Sequence, residues 1–421
     1  MFSSVIHRLE SPFVAPLLAL VAGLLINGLW VPPARADVNA LIEALAKGTP
    51  LLNIRYRFEN VSQDGIARDA NANTVRTRFG YRTGTVGGAS VLLSFENIGS
   101  IGRAKFNSTV NGRGQFPVVA DPSSTEVDQA YLNFDSGRKT TFRGGRQVII
   151  LDNHRWVGNV GFRQNEQSFD AVRLTNKSLP NTVLDYAWIG NVNRIFGDRS
   201  PVGDLGTSTH IFHLANSSLP IGTITGYAYL VDIGALKAVS TRTLGVRLKG
   251  AWPLPGGGPK IIYTAEYANQ GDYAGNPASY SVDYVFVEGG ISHHGLTLKG
   301  GYEELGSNGT NAVTTPLATL HAFNGWADIF LATPASGLRD AYGSAIYKTA
   351  PGSPFPGLTL IGVYHRFSAD KGGATYGREW DFRIARKIAK PLTLAVKYAN
   401  YNAKTFKTDT KKLWFSLIFN L

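Results

Sequence analysis

A transmembrane antiparallel β-barrel of about 18 strands is the all-β fold this sequence predicts, and three observations predict it. Most of the chain alternates apolar with polar residues. Its connections sort into a long and a short class by strand parity. An N-terminal apolar run followed by a small-residue site marks the chain for export.

The N-terminal run comes first. His7 and Arg8 precede "FVAPLLALVAGLLINGLW" (Phe13 to Trp30), and Ala34-Arg35-Ala36 has the A-x-A form of a cleavage site. Residues 1–36 are expected to be a signal peptide and Asp37 the start of the mature chain. Residues 37–50 form a short N-terminal periplasmic segment. Within it "DVNALIEALAKG" has helical spacing at Val38, Leu41, Ile42 and Leu45, and Gly48 and Pro50 would end the helix. Residues 51–421 form the barrel. They contain no apolar run of about 18 residues, so no helix there is expected to span a membrane.

Strands follow. "LNIRYRFE" sets Leu52, Ile54, Tyr56 and Phe58 against Asn53, Arg55, Arg57 and Glu59. A strand places such sets on opposite faces. "TVRTRFGYR" does the same with Val75, Thr77, Phe79 and Tyr81 against Arg76, Arg78 and Arg82. "TLGVRLKG" opposes Val246 to Arg247 and Lys249, and "REWDFRIA" opposes Trp380, Phe382 and Ile384 to Glu379, Asp381 and Arg383. "LTLAVKYA" opposes Val396 to Lys397, and the last segment alternates Leu413, Phe415, Leu417 and Phe419. About 18 such segments of roughly 9–11 residues fit tilted membrane strands, with 16 as the other even count.

Connections supply the third observation. One parity is short: "DSGR", "NKSLPN", "NSSLPIG", "ISHHG" and "KIAKP" belong to it. The other holds the long ones, near 99–124, 150–168, 193–207 and 306–337. Short periplasmic turns and long extracellular loops are the membrane-barrel pattern. A soluble barrel would show the same alternation with its greasy face inside. The export signal, strand number and loop parity favour the inverted arrangement. Tyr131, Tyr227, Trp252, Tyr263, Tyr398 and Tyr401 sit near strand ends, where interface girdles are expected.

Composition agrees. The 421 residues include 47 Gly, one Met and no Cys, with 11% aromatic residues. Thiol chemistry and disulfides are therefore excluded. The formal charge is +12, and removal of Arg8, Glu10 and Arg35 leaves +11.

At "DPSSTEVDQAYLNF" (Asp121 to Phe134) and "GGRQVIILDNHRWVGNVGFRQNEQSFDAVRL" (Gly144 to Leu174) the chain resembles the alginate export family of outer-membrane porins. "NIRYRFE", "TVRTRFGY" and "GLRDAYG" (Gly337 to Gly343) fall in that family's order. The resemblance implies an 18-stranded monomeric barrel in the bacterial outer membrane with an electropositive pore, and a polyanion such as alginate as cargo. The chain departs from the usual pattern at its end, where Leu421 stands in place of a terminal Phe.

The candidate pore lining is Arg55, Arg57, Arg76, Arg78, Arg82, Arg143, Arg173, Arg247, Lys249, Arg383 and Lys397. A cation near the midplane of the lipid face would cost about 2–4 kcal/mol, so these residues are expected in the lumen. There they would attract anions, and guanidinium pairs well with carboxylate. The competing reading is a neutral brace, with Glu59, Glu96, Asp128, Asp185, Glu266, Asp283, Glu303 and Asp381 as partners. Asp152, His154, Arg155, Arg163 and Glu166, with Trp156, make residues 151–170 a candidate constriction loop; a lid or surface fold is the alternative. "FNGWADIFLATPASGLRD" (Phe323 to Asp340) is a second candidate.

The expected function is passive, arginine-lined passage of anionic solutes: an acidic polysaccharide such as alginate, uronates or organic acids. An outer-membrane barrel enzyme and a plugged structural or adhesion barrel are the alternatives. His293-His294 has no third ligand nearby, so no metal is expected. Without G-x-S-x-G or a paired nucleophile, no catalytic residue or cofactor is expected either. Lipid, lipopolysaccharide and a periplasmic export or uptake protein are expected partners, and nucleic acid is not.

Overall fold

In this computed structural model residues 38–421 are described, and the expected signal peptide lies outside them. A nine-residue helix, α1 (Val38–Ala46), precedes 18 strands. These are β1 (Thr49–Gln63), β2 (Ala70–Arg82), β3 (Ala89–Ser100), β4 (Ser124–Asp135), β5 (Thr140–Gln147) and β6 (Ser168–Asn176). β7 (Thr182–Asn193), β8 (Asp204–Leu219), β9 (Gly222–Val231), β10 (Thr241–Pro253), β11 (Lys260–Asp272) and β12 (Ser281–His293) follow. β13 (Leu296–Leu305), β14 (Leu338–Lys348), β15 (Leu358–Ser368), β16 (Thr375–Ala389), β17 (Leu392–Ala403) and β18 (Thr410–Asn420) complete the set.

Each strand pairs antiparallel with the next in sequence, and β1 pairs with β18 from Asn53↔Asn420 to Gln63↔Thr410. The sheet is therefore closed and has no edge strand, which removes a row of unpaired backbone groups. Of the two even counts the sequence allows, 18 is the one observed.

The wall is inside out relative to a soluble barrel. On β2 Phe79 is 59% exposed, while Arg57 and Glu59 on the other face of β1 are 3% and 0% exposed. Val246, Phe382 and Ile384 are also exposed, and Glu379 and Asp381 are fully buried. The alternation in the sequence is thus realised with charges inward and aliphatic and aromatic residues outward.

Connections at one end are short. The two-residue turn between β12 and β13 has positive φ at His294 (46°) and Gly295 (83°), the twist that suits a tight hairpin. At the other end lie the long segments 101–123, 148–167 and 306–337. They turn into the barrel. Phe106, Phe116 and Val119 of the first pack on Val61, Ala70 and Ala72, inward residues of β1 and β2. Trp156 and Val157 of the second and Leu317 and Phe330 of the third share a buried cluster with Tyr229, Tyr284 and Phe367 from the wall. The second and third also bond to each other, Gly158 N–H to Leu317 C=O (2.9 Å) and Thr319 N–H to His154 C=O (3.0 Å). Among the described residues the apolar core therefore lies where the inward-turned loops pack against the inside of the wall.

Two expectations need correction. Tyr131, Tyr227 and Tyr401 are buried inward residues and not part of an outer girdle. Asp283 is exposed on the outward face of β12, where it accepts a hydrogen bond from Tyr267 (2.7 Å), because Val282 and Tyr284 take the inward positions. At both places strand parity, not position along the strand or charge, decides the face.

Candidate functional site

The site is the lumen and the two loops that cross it. β1 and β2 bring Arg55 opposite Arg76, with Arg57 and Arg78 on the same inward face. These four guanidiniums have different surroundings.

Arg55 donates from Nε to Gln164 Oε1 (2.8 Å), from Nη1 to Gly161 C=O (2.9 Å) and from Nη2 to Arg163 C=O. Arg76 donates to Asn53 Oδ1 and to Gln164 C=O (3.4 Å). Among the described residues neither makes an ion pair. Arg57 lies 4.2 Å from the Phe162 ring centre, a cation–π contact, with Asp121 3.9 Å away. Its Nε and Nη1 are buried without a hydrogen-bond partner.

Arg78 is the opposite case. Glu96 (2.7 Å), Asp128 (3.0 Å) and Glu166 (3.2 Å) surround it. Glu166 comes from the 148–167 loop. Burial, and the neighbouring Asp128 and Glu96 carboxylates, push its carboxyl up to about 8 against the attraction of Arg78.

The same loop carries three more anchors. Arg163 reaches Glu59 on β1 (3.0 Å), Asp328 of the 306–337 loop (3.2 Å) and Asp121 (3.6 Å). Arg155 pairs with Glu303 on β13 (2.9 Å). Trp156 donates from Nε1 to Glu266 on β11 (2.8 Å), which also accepts from Tyr227 (2.7 Å) and Arg247. A segment that leaves β5 thus touches β1, β11 and β13. Asp152 stays near its own side of the barrel and pairs with His213 on β8 (2.9 Å). His154 is half-buried, and burial lowers its pKa.

The two loops meet again at Lys397 on β17. Its ammonium is 3.7 Å from the Trp326 ring centre and 4.7 Å from that of Phe162. It donates to His321 Nε2 (2.6 Å). An ammonium only donates, so His321 carries its proton on Nδ1 and gives it to Asp328 (2.6 Å). Burial, reinforced by Lys397, keeps His321 well below the ordinary histidine range and so neutral. Lys412 on β18 completes the group through Asp328 (2.8 Å).

The remaining candidates are spread around the wall. Arg173 forms a two-pronged pair with Asp185 (2.6–3.1 Å). Arg143 bonds Asn133 (3.2 Å) and lies 4.3 Å from the Tyr131 ring centre. Arg383 is half-buried opposite Lys397 in the strand register. Arg82 is exposed at the short-turn end of β2, and Lys249 is exposed on the inside of β10.

Below the loops, toward the short turns, lies a chamber of about 830 Å³. Arg247, Lys249, Lys299, Phe286, Trp326 and Tyr342 are among its lining residues. Its carboxylates are engaged: Glu288 by Lys299 (3.2 Å) and Tyr342 (2.8 Å), Glu303 by Arg155, and Asp340 by His365 (2.9 Å).

Sequence reasoning found the wall arginines and most of their carboxylate partners. It assigned no role to Asp121, Phe162, Gln164, His321, Asp328 or Lys412. Five of these lie outside the strands, where no period reports direction. Lys412 and Asp121 gain their meaning only from loops that arrive from elsewhere in the chain.

No protein-family model matches the chain, and no curated protein sequence does. The implied membership of the alginate export family therefore has no family match behind it. Solved structures do match. Crystal structures of OpdK with vanillate and of OpdL, both from Pseudomonas aeruginosa, give TM-scores of 0.70 and 0.68 at 13% and 16% identity. Each alignment covers 90% of this chain and 99% of the other. OccAB2 from Acinetobacter baumannii gives 0.70 at 15% identity over 90% and 99%. OpdK is described as an outer membrane protein. By fold, this chain is a closed 18-stranded antiparallel barrel of the outer-membrane type.

Proposed function

We propose that this protein is a channel of the bacterial outer membrane that passes small anionic solutes by passive diffusion. The observation that carries the reading is the inverted wall, greasy outside and charged inside, with arginines Arg55 and Arg76 satisfied only by neutral acceptors. A guanidinium that keeps its net charge in a low-dielectric interior leaves a positive potential for anions. Lys249, Arg143 and Arg383 extend that potential around the wall.

The cargo is small: an organic acid, an aromatic acid or a single uronate. Both inward loops span the lumen, and the chamber beneath them has the volume of a small molecule. That arrangement speaks against a polymer such as alginate. Crystallisation of OpdK, a barrel of the same fold, with vanillate fits a carboxylate cargo. Each step is weak binding and release, with no covalent chemistry.

Planar-bilayer recording across a salt gradient tests the reading. A conducting pore with an anion-selective reversal potential is expected. A non-conducting barrel would favour the plugged structural alternative, and cation selectivity would remove the role given to the arginines.

A further inference from the structure

Helix α1 has three distinct faces. Ala44 is its buried residue, and Gly84 N–H in the β2–β3 turn bonds the Ala44 carbonyl (2.8 Å). Asn39, Glu43 and Lys47 form a polar stripe, with Glu43 and Lys47 paired. Val38, Leu41, Ile42 and Leu45 form the third face and are 67%, 46%, 59% and 57% exposed. Four large aliphatic residues at i, i+3, i+4 and i+7 make one continuous stripe. A protein surface rarely shows such a patch unless something covers it.

Two observations identify the cover. The helix is tied to the outside of the wall, because Tyr81 donates its hydroxyl proton to Leu45 C=O and Tyr81 shares the outward parity of Phe79. Val91 and Leu93, exposed on the outward face of neighbouring β3, continue the apolar surface beside it. Other turns at the same end present apolar side chains too: Leu179, Ile221, Leu254 and Phe355 are all exposed. The short-turn rim is therefore greasy around much of its circumference, and α1 continues that rim.

We propose that α1 lies on the membrane as an interfacial anchor, with Val38, Leu41, Ile42 and Leu45 in the lipid at the boundary of headgroups and acyl chains. Helices with a short apolar stripe and a charged opposite face settle at that depth. The Glu43–Lys47 pair then faces water. The segment fixes the short-turn rim against the bilayer and does not lie across the mouth of the pore. The proposal rests on the outer-membrane reading above.

The absence of Cys from the chain permits single spin labels. The variants Leu41→Cys, Ile42→Cys, Glu43→Cys and Phe79→Cys are made in the full chain, purified from outer membranes and reconstituted in phosphatidylethanolamine/phosphatidylglycerol vesicles. Collision with oxygen reports lipid, and collision with a water-soluble nickel chelate reports water. Labels at 41 and 42 should match the one at 79, oxygen-rich and several-fold less accessible to nickel than the label at 43. If 79 is in lipid but 41 and 42 collide with nickel as 43 does, the anchor is refuted and the barrel reading stands. If 41 is shielded from both reagents, protein covers the stripe and the lipid assignment is overturned. If 79 itself is in water, the outer-membrane reading fails and the anchor with it.

Discussion

Arg55 and Arg163 are both buried, yet they are held in different ways. Arg55 sits in a strand and gives its protons to an amide and two carbonyls. Arg163 sits in a loop and gives its protons to carboxylates from β1 and from the other inward loop. The first keeps a net positive charge in the wall. The second is neutralised and works as a clasp. The difference divides the interior cations into a group that sets the field and a group that fixes shape, and inward position alone does not tell which is which. Arg76 belongs with Arg55, whereas Arg78, Arg155, Arg173 and Arg247 belong with Arg163.

The largest effect should come from the clasp. Arg163→Ala leaves Glu59, Asp121 and Asp328 close together without their shared cation. Removal of one partner from a buried ion pair costs about 3–5 kcal/mol. Urea unfolding of the folded barrel, followed by tryptophan fluorescence, should show a loss of that order. Conductance should rise as both loops loosen. A variant with unchanged stability would show that Arg163 is no clasp.

A smaller cost in stability and a larger one in selectivity should mark the other group. Arg55→Gln removes a charge but keeps a donor near Gly161 and Gln164. Leaving a buried acceptor unpaired costs about 1–3 kcal/mol. Its reversal potential should move clearly toward zero. Arg78→Gln should unfold more easily, because the buried carboxyl groups of Glu96, Asp128 and Glu166 then lose the cation they share. If Arg55→Gln destabilises as strongly as Arg163→Ala with selectivity intact, the division between field and clasp collapses.

The same division explains what the sequence revealed. In a strand, parity reports the face, so "LNIRYRFE" and "TVRTRFGYR" located Arg55, Arg57, Arg76 and Arg78 inside before any coordinates. Parity also put Arg173, Asp185, Arg247 and Glu266 on the inward face, without saying which cation meets which carboxylate. Loops carry no such period. Residues 151–170 could be suspected of turning inward because charges mix with Trp156, but not that Arg163 meets Asp328 from a segment more than a hundred residues away. Nor could periodicity show that Lys397 is enclosed by Phe162, Trp326 and His321. Whether a wall arginine is free or cancelled depends on these arrivals, so charge balance was the least legible property of the site.

Glu166 gives the finest comparison, because its protonation changes the net charge of the cluster around Arg78. Burial and the neighbouring Asp128 and Glu96 raise its carboxyl to about 8, above the ordinary value of about 4.3. The folded state therefore binds the proton more tightly than the unfolded chain does. That contribution is complete below the unfolded pKa and is lost as pH rises through about 8. For one proton the loss between pH 7 and 9 is about 1 kcal/mol. Over the same window Glu166 gains a charge beside Arg78, and anion selectivity should fall. Glu166→Gln keeps an oxygen for Asn159, which donates to Glu166 at 2.7 Å in the native chain. It should flatten both the unfolding and the reversal-potential profiles between pH 7 and 9. If the slopes persist in Glu166→Gln, a group other than Glu166 titrates there.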